Sequence, residues 1–259
     1  MLVRILRGAF RWWPFMRGRG WILRLARLLL GSGNVRFDIG GGTFIEGSLD
    51  DWLIVWAFMR RHESDAPFQR SLDLIRSGDV VFDVGANVGI WSLLAAKRGA
   101  RVHAFEPVPA LVERLREHAR GNGVDITINA CAVGAQNGTL PFYEFREGNS
   151  GASSLAPRSE RDVRIDVPVI TLDSYPTREA RLMKVDVEGA ERMVFEGARA
   201  LKVPIILFEI DEQLCARFGA TPREIKQLLV DRGYTIQRHD GSPVSIDERH
   251  GHEDLFAMR

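Results

Sequence analysis

The sequence predicts an α/β fold, a mainly parallel sheet covered by helices on both faces and preceded by an N-terminal arm. Three observations predict it. From residue 80 onward, strand-like apolar runs alternate with helical periodicities, the pattern of strand–helix–strand units. The stretch VVFDVGANVGIWS, residues 80–92, passes from an apolar strand through a glycine-punctuated turn into a helix, as the first unit of such a sheet does. Finally, 45% of the 259 residues are hydrophobic, which suffices for one large domain with an appendage and excludes a disordered chain. The division expected is an arm over 1–65 and an α/β domain over 66–259.

The arm begins with MLVRILRGAFRWW, where Arg4, Arg7 and Arg11 form one helical stripe opposite Leu2, Val3, Ile5, Leu6 and Phe10. Pro14 ends that helix. Residues 21–30 repeat the pattern with Arg24 and Arg27, and Gly31 is placed to cap them. VRFDIG and TFIEGS, joined across Gly40, Gly41 and Gly42, predict a hairpin, and residues 50–61 a helix entering the main domain. Strands follow at 80–84, 101–106, 126–133, 182–187, 204–210, 234–238 and 255–259, with helices at 90–97, 110–120, 190–200 and 222–231. GTLPFYEF and RIDVPVITLD flank the polar loop 146–162 and predict a second hairpin, since they need no crossover helix. The loop has the glycine- and serine-rich composition of a lid, with a plain surface loop as the competing reading; contact of Ser153 and Ser154, in its GASSL stretch, with cofactor or acceptor is implied only by a resemblance of that stretch to a known family.

The 35 Lys and Arg residues against 34 Asp and Glu leave a formal charge of +1, so no global basic surface speaks for nucleic acid. Locally the balance differs: residues 1–36 hold eight arginines and no acid. That fits a peripheral contact of residues 1–30 with an anionic membrane, or equally an arm packed on its own domain with solvated arginines. No apolar run reaches the roughly 20 residues of a spanning helix, because Arg24 and Arg27 interrupt WILRLARLLL, and no secretory pattern precedes it. Cys131 and Cys215 lie far apart without a metal-ligand spacing, which speaks against a disulfide scaffold or a zinc site. The cytoplasm, including the inner face of its membrane, is the expected location, and a homodimer is left open.

An open parallel sheet binds its ligand beyond the carboxyl ends of its strands, so the turn Asp83-Val84-Gly85-Ala86-Asn87-Val88-Gly89 is the natural site. A dinucleotide fingerprint would want glycine at Asn87 and again near Trp91 or Ser92, and neither is present. The acid at Asp83 repels a diphosphate and attracts an ammonium. S-adenosylmethionine carries that ammonium, and Glu106, 23 residues on, is placed for its ribose hydroxyls.

The segments VVFDVGANVGIWS, VHAFEPVP, LMKVDVEGAERMVFEGARALK and PIILFEI resemble the FkbM-type methyltransferases, a group within the class I S-adenosylmethionine-dependent family. The resemblance covers residues 68–259 and is most specific in the D-V-E-G-A-E segment. It implies a Rossmann-like sheet of seven strands with one antiparallel, matched here by the C-terminal LFAMR. It implies O-methylation of a hydroxylated acceptor, first a sugar in a glycan or glycolipid pathway, with lipid-linked glycans included, or else a polyketide or other small metabolite. A nicotinamide-dependent oxidoreductase and a membrane-associated non-catalytic scaffold are the rival readings. The cofactor set comprises Asp83, Gly85, Ala86, Asn87, Gly89, Glu106, Pro107, Cys131, Ala132 and Asp186.

Methyl transfer to oxygen needs alignment of the acceptor and removal of its proton. Acids at the carboxyl ends of the central strands are the candidates: Asp186 first, with Glu188 and Glu209, and Lys184 as an ion-pair partner or acceptor contact. Glu188 has a structural alternative as a cap for the helix near Gly189. Gathered carboxylates also suit a divalent cation, for which Asp186, Glu209 and Asp211 are the candidates. Trp52, Trp56 and Phe58 are expected either to stack on a sugar or to lie in the core. His250 and His252 are expected in solvent.

Overall fold

The computed structural model describes residues 3, 5, 6, 19–30, 33–59, 61–144 and 163–259. Most of the helix expected over 1–13, and the loop 146–162 with Ser153 and Ser154, lie outside the described residues. The arm continues as α1 (Arg19–Leu30) and a hairpin of β1 (Asn34–Gly40) and β2 (Thr43–Ser48). Gly41 and Gly42 form its two-residue turn with φ of +58° and +71°, a left-handed pair that only glycine adopts without strain. Alternation does the rest: Val35, Phe37 and Ile39 of β1 and Ile45 of β2 face inward.

Next come α2 (Trp52–Phe58), capped by Asp51, and α3 (Ala66–Asp73), capped by Asp65 and carrying Pro67 in its first turn. The sequence reading had only the first of these, extended to residue 61; α3 spans barely two turns, too short for periodicity to declare.

The main sheet contains β3 (Val80–Val84), β4 (Arg101–Phe105), β5 (Ile126–Asn129), β9 (Leu182–Val185), β10 (Ile205–Asp211), β11 (Thr235–Gln237) and β12 (His252–Met258). Its order is β11-β12-β10-β9-β3-β4-β5, with β12 antiparallel to both neighbours and the central pairs parallel. Seven strands with one antiparallel is the expected architecture. Helices α4 (Ile90–Lys97), α5 (Pro109–Asn122), α6 (Glu191–Glu196), α7 (Glu212–Arg217) and α8 (Pro222–Val230) connect it. The six-residue α7 was not expected, and α6 stops at Glu196 rather than residue 200.

One expected strand divides. The run 126–133 ends at Asn129, where Cys131 N–H turns back on the Asn129 carbonyl at 2.9 Å, and residues 132–133 form β6 in a second sheet. There β6 pairs with β8 (Val163–Ile170), itself antiparallel to β7 (Gly138–Glu144) as the second predicted hairpin.

Alternate residues of β3 feed the two cores: Val81 joins the face bearing α4 and α5, while Phe82 and Val84 join Phe105, Phe195 and Phe208 opposite. Described residues of the arm, Leu6, Ala26, Phe37, Ile45, Ile54 and Phe58, share the first of these cores. Polar contacts seat the hairpin on α5: Asn122 exchanges two hydrogen bonds with the Phe44 backbone, and His118 Nε2 accepts the Glu46 N–H at 3.0 Å. The other ring nitrogen, Nδ1, lies 2.8 Å from the Val88 carbonyl. At the far end Lys226 is buried, its Nζ bonded to the Ser245 and Glu248 carbonyls and to His250 Nε2, which fixes the approach to β12. His250, expected in solvent, is therefore buried, with Nδ1 2.7 Å from Glu253. Among the described residues no helix is long and apolar enough to cross a membrane.

Candidate active site

A cavity of about 360 Å³ opens at the carboxyl ends of β3, β4, β9 and β10. One wall is the turn after β3. Gly85 and Gly89 have φ of +81° and +89°, and Asn87 stands at +51°, a left-handed setting that asparagine tolerates. Gly85 and Ala86 donate their N–H groups to the Phe105 carbonyl, joining this turn to the end of β4. Glu106 completes the joint: one oxygen accepts the Asn87 N–H at 2.8 Å and the other the Val108 N–H at 2.9 Å. Burial pushes its carboxyl up to about 7 against the lowering effect of those two bonds. Each oxygen keeps a second lone pair, so the turn does not exhaust its capacity.

Parallel register sets Asp83 beside Lys184 on the neighbouring strand. The Lys184 ammonium lies 3.5 Å from Asp83 and 3.1 Å from Asp186. Burial alone would lower the Lys184 ammonium, but the Asp186 and Asp83 carboxylates outweigh it and raise it. Asp83 also accepts Ser92 Oγ–H at 2.6 Å and is fully buried. The sequence reading placed Asp83 against a ligand ammonium; instead it lies behind the cavity wall, and Asp186, with 42% of its side chain exposed, is the carboxylate at the surface.

After β9 the chain makes a second tight turn. Glu188 is left-handed at φ +57° and lines the cavity. The backbone of this turn is held by Glu191, which accepts the Val187 and Gly189 N–H groups. The N-cap position before α6, offered to Glu188, is held by Ala190, and Glu191 is a buried acid whose carboxyl desolvation pushes up to about 7. The opposite side of the cavity is closed by β10 and β12, whose register sets Glu209 opposite Asp254. Glu209 is raised well above the usual carboxylate range, first by burial and then by the Asp186, Glu188 and Glu191 carboxylates; its Oε2 is buried with no hydrogen-bond partner among the described residues. Asp254 rises to about 7 by burial and the Asp186 charge.

The cavity thus gathers Gly85, Ala86, Asn87, Glu106, Pro107, Ala132, Lys184, Asp186, Glu188 and Glu209 from the expected set. It leaves out four. Besides Asp83, Gly89 begins α4 against Leu115, and Cys131 is buried in the second core, where desolvation pushes its thiol up to about 11. Asp211, offered as a metal ligand, caps α7 by accepting the Gln213 and Leu214 N–H groups. Among the described residues no three His, Cys, Asp or Glu side chains are grouped to hold a metal ion. Trp52 and Trp56 line the cavity as offered, whereas Phe58 is in the core, edge-on to Phe37 at 5.2 Å. Asp254, His252, Asp65 and Phe68 also line it and were not foreseen. A period-two reading of 252–258 would have flagged His252 and Asp254 as one face of the last strand.

The Methyltransferase FkbM domain matches residues 83–236, which is more than half of the chain. The chain belongs to the FkbM methyltransferase family. Among its FkbM relatives, the 31-O-demethyl-FK506 methyltransferase FkbM of Streptomyces tacrolimicus is 44% identical over 196 residues, covering 62% of this chain and 75% of the relative. Methyltransferase sdnD of Sordaria araneosa is 27% identical over 199 residues, covering 62% and 76%. The fold is also that of the magnesium protoporphyrin IX methyltransferase ChlM from Synechocystis PCC 6803, solved with bound SAM (TM-score 0.50, 16% identity, 99% of this chain and 96% of that one). FkbM membership replaces the nicotinamide-dependent alternative.

Proposed function

We propose that this FkbM-family chain transfers the methyl group of S-adenosylmethionine to a hydroxyl of a polar acceptor. The observation that carries the reading is the meeting, in one cavity, of the Gly85–Asn87 turn and Glu106 with the acidic rim of Asp186, Glu209 and Asp254. The residues suit the donor. Glu106 has lone pairs left for a ribose diol, Ala132, Val133 and Phe142 give an apolar wall for adenine, and Asp186 offers surface charge for an ammonium. The donor supplies a carbon already activated by sulfonium. The chain's own residues hold the two reactants in line and shield them from water, and a rim base receives the acceptor proton.

For the acceptor, a sugar is the expectation from sequence, while the 44% identical relative is named for 31-O-demethyl-FK506. That name supports a polyketide-type hydroxyl, with the glycan sugar as its rival. The arm fits delivery to an anionic membrane surface: Ile5, Leu28 and Leu29 are exposed, beside exposed Arg24. Titration calorimetry with S-adenosylhomocysteine tests the donor, and absence of binding would sink the reading. An S-adenosylhomocysteine-release screen over 31-O-demethyl-FK506, methyl glycosides and lipid-linked glycans, with magnesium or EDTA, separates the acceptors. Flotation with anionic vesicles tests the arm; vesicle binding without any methyl transfer would favour a scaffold.

A further inference from the structure

His252 stands first in β12, and its ring lines the acceptor side of the cavity. Side chains two apart on a strand share a face, so Asp254 stands on the same side. His252 Nδ1 lies 3.3 Å from Glu209 Oε1 and 3.9 Å from Asp211 Oδ2. Asp211 caps its helix through Oδ1 and faces the ring with Oδ2 at the longer distance, so Glu209 is the nearer carboxylate. The two differ in exposure: the Glu209 side chain is 12% exposed and the His252 side chain 66%. Burial raises the Glu209 carboxyl, and in its ionised form it fixes the tautomer of the accessible imidazole, because the nitrogen beside the carboxylate keeps the hydrogen.

We propose that His252 takes the proton of the acceptor hydroxyl and that Glu209 positions its ring, with Nδ1–H inward and Nε2 toward the cavity. The proposal rests on the methyl-transfer reading of the same cavity. The acceptor oxygen gains the methyl carbon as the carbon–sulfur bond breaks, the electron pair leaves on sulfur as a neutral thioether, and the proton passes to Nε2 and then to solvent. Imidazole suits this exchange because one ring nitrogen can accept a proton while the other donates its hydrogen to the carboxylate. Asp186 suits it less, since Lys184 already occupies its Oδ2 at 3.1 Å. The charged or titratable groups on the ring's side of the strand and across the cavity are Glu209 and Asp211 of β10, Asp254 of β12, Asp65 before α3, and Lys184, Asp186 and Glu188 at the end of β9.

Nitrogen-15 NMR of the histidine-labelled full chain reads the ring directly. The expected result is an Nδ1–H tautomer that becomes mixed in Glu209→Gln; an Nε2–H tautomer, or a ring indifferent to Glu209→Gln, overturns the proposal. In the release assay with 31-O-demethyl-FK506 and methyl glycosides, His252→Gln should lower kcat about 100-fold or more with S-adenosylhomocysteine affinity unchanged. Wild-type kcat in His252→Gln, with the loss appearing in Asp254→Asn instead, assigns the base to Asp254 and overturns it too. If the wild type binds no S-adenosylhomocysteine, the methyl-donor reading fails by itself, and the tautomer still decides the pair.

Discussion

Gly85 faces the backbone of Asp186 so closely that a Cβ would stand 1.9 Å from the Asp186 carbonyl oxygen. No side-chain rotation relieves that approach, because the opposing atom is backbone, and the left-handed φ of +81° adds strain for any other residue. Gly85→Ala is therefore expected to destabilise the chain by more than about 1 kcal/mol and to weaken S-adenosylhomocysteine binding, since it pushes apart two walls of the cavity. Denaturant unfolding and calorimetry check both effects.

Lys184 is the cation that faces buried Asp83. Removing one partner of a buried pair leaves an uncompensated charge, so Lys184→Met should cost about 3–5 kcal/mol of stability. Adding Asp83→Asn should restore part of it. Equal stability of the single and double variants would show that the pair is not coupled.

Three acids, the buried Glu106 and Glu191 and the half-buried Asp254, have carboxyls raised to about 7 in the folded chain. For each, the native state holds its proton more tightly than the unfolded one. Their stabilisation is complete below the ordinary carboxylate range and is lost as pH rises toward 7. Thermal unfolding should thus show Tm falling from about pH 5 to pH 8, with a shallower fall in Glu191→Gln.

Glu106 is expected to hold the ribose of the donor while fixing the Asn87 turn. Hydrogen bonds to a charged group contribute about 1.5–3 kcal/mol, so Glu106→Gln should weaken S-adenosylhomocysteine by roughly 10- to 100-fold in calorimetry. Unchanged affinity would remove Glu106 from the donor site.

Trp52 lines the cavity with 54% of its surface exposed. Its truncation to alanine should change stability by no more than about 0.5 kcal/mol. The effect should fall on the acceptor: a raised KM in the release assay with S-adenosylhomocysteine affinity intact.

The central sheet was legible because its parallel strands are short runs dominated by apolar residues, as PIILF is. The meeting of Gly85, Asn87 and Glu106 in the cavity was legible for a related reason: they are neighbours of one strand end or the next, so spacing reports it. Asp83 marks the limit of such reasoning. Its type was read correctly as a charge partner, but the partner is Lys184, which parallel register brings alongside and no local pattern announces. His252 and Asp254 were hidden further still, since they reach the cavity only because the last strand inserts antiparallel between β10 and β11. The break at Asn129 was missed because a turn of main-chain bonds leaves no residue signature.

The front segment joins the body through sockets on α5, where His118 and Asn122 grip the hairpin backbone at Glu46 and Phe44 rather than its side chains. From that same segment Trp52, Trp56, Asp65 and Phe68 reach one wall of the cavity. Those main-chain grips stand beside a shared apolar core in which Phe37, Ile45, Ile54 and Phe58 meet Leu93 and Leu115, so a stretch grafted over residues 34–73 from a relative would reshape that cavity wall only if its apolar face still matched α4 and α5.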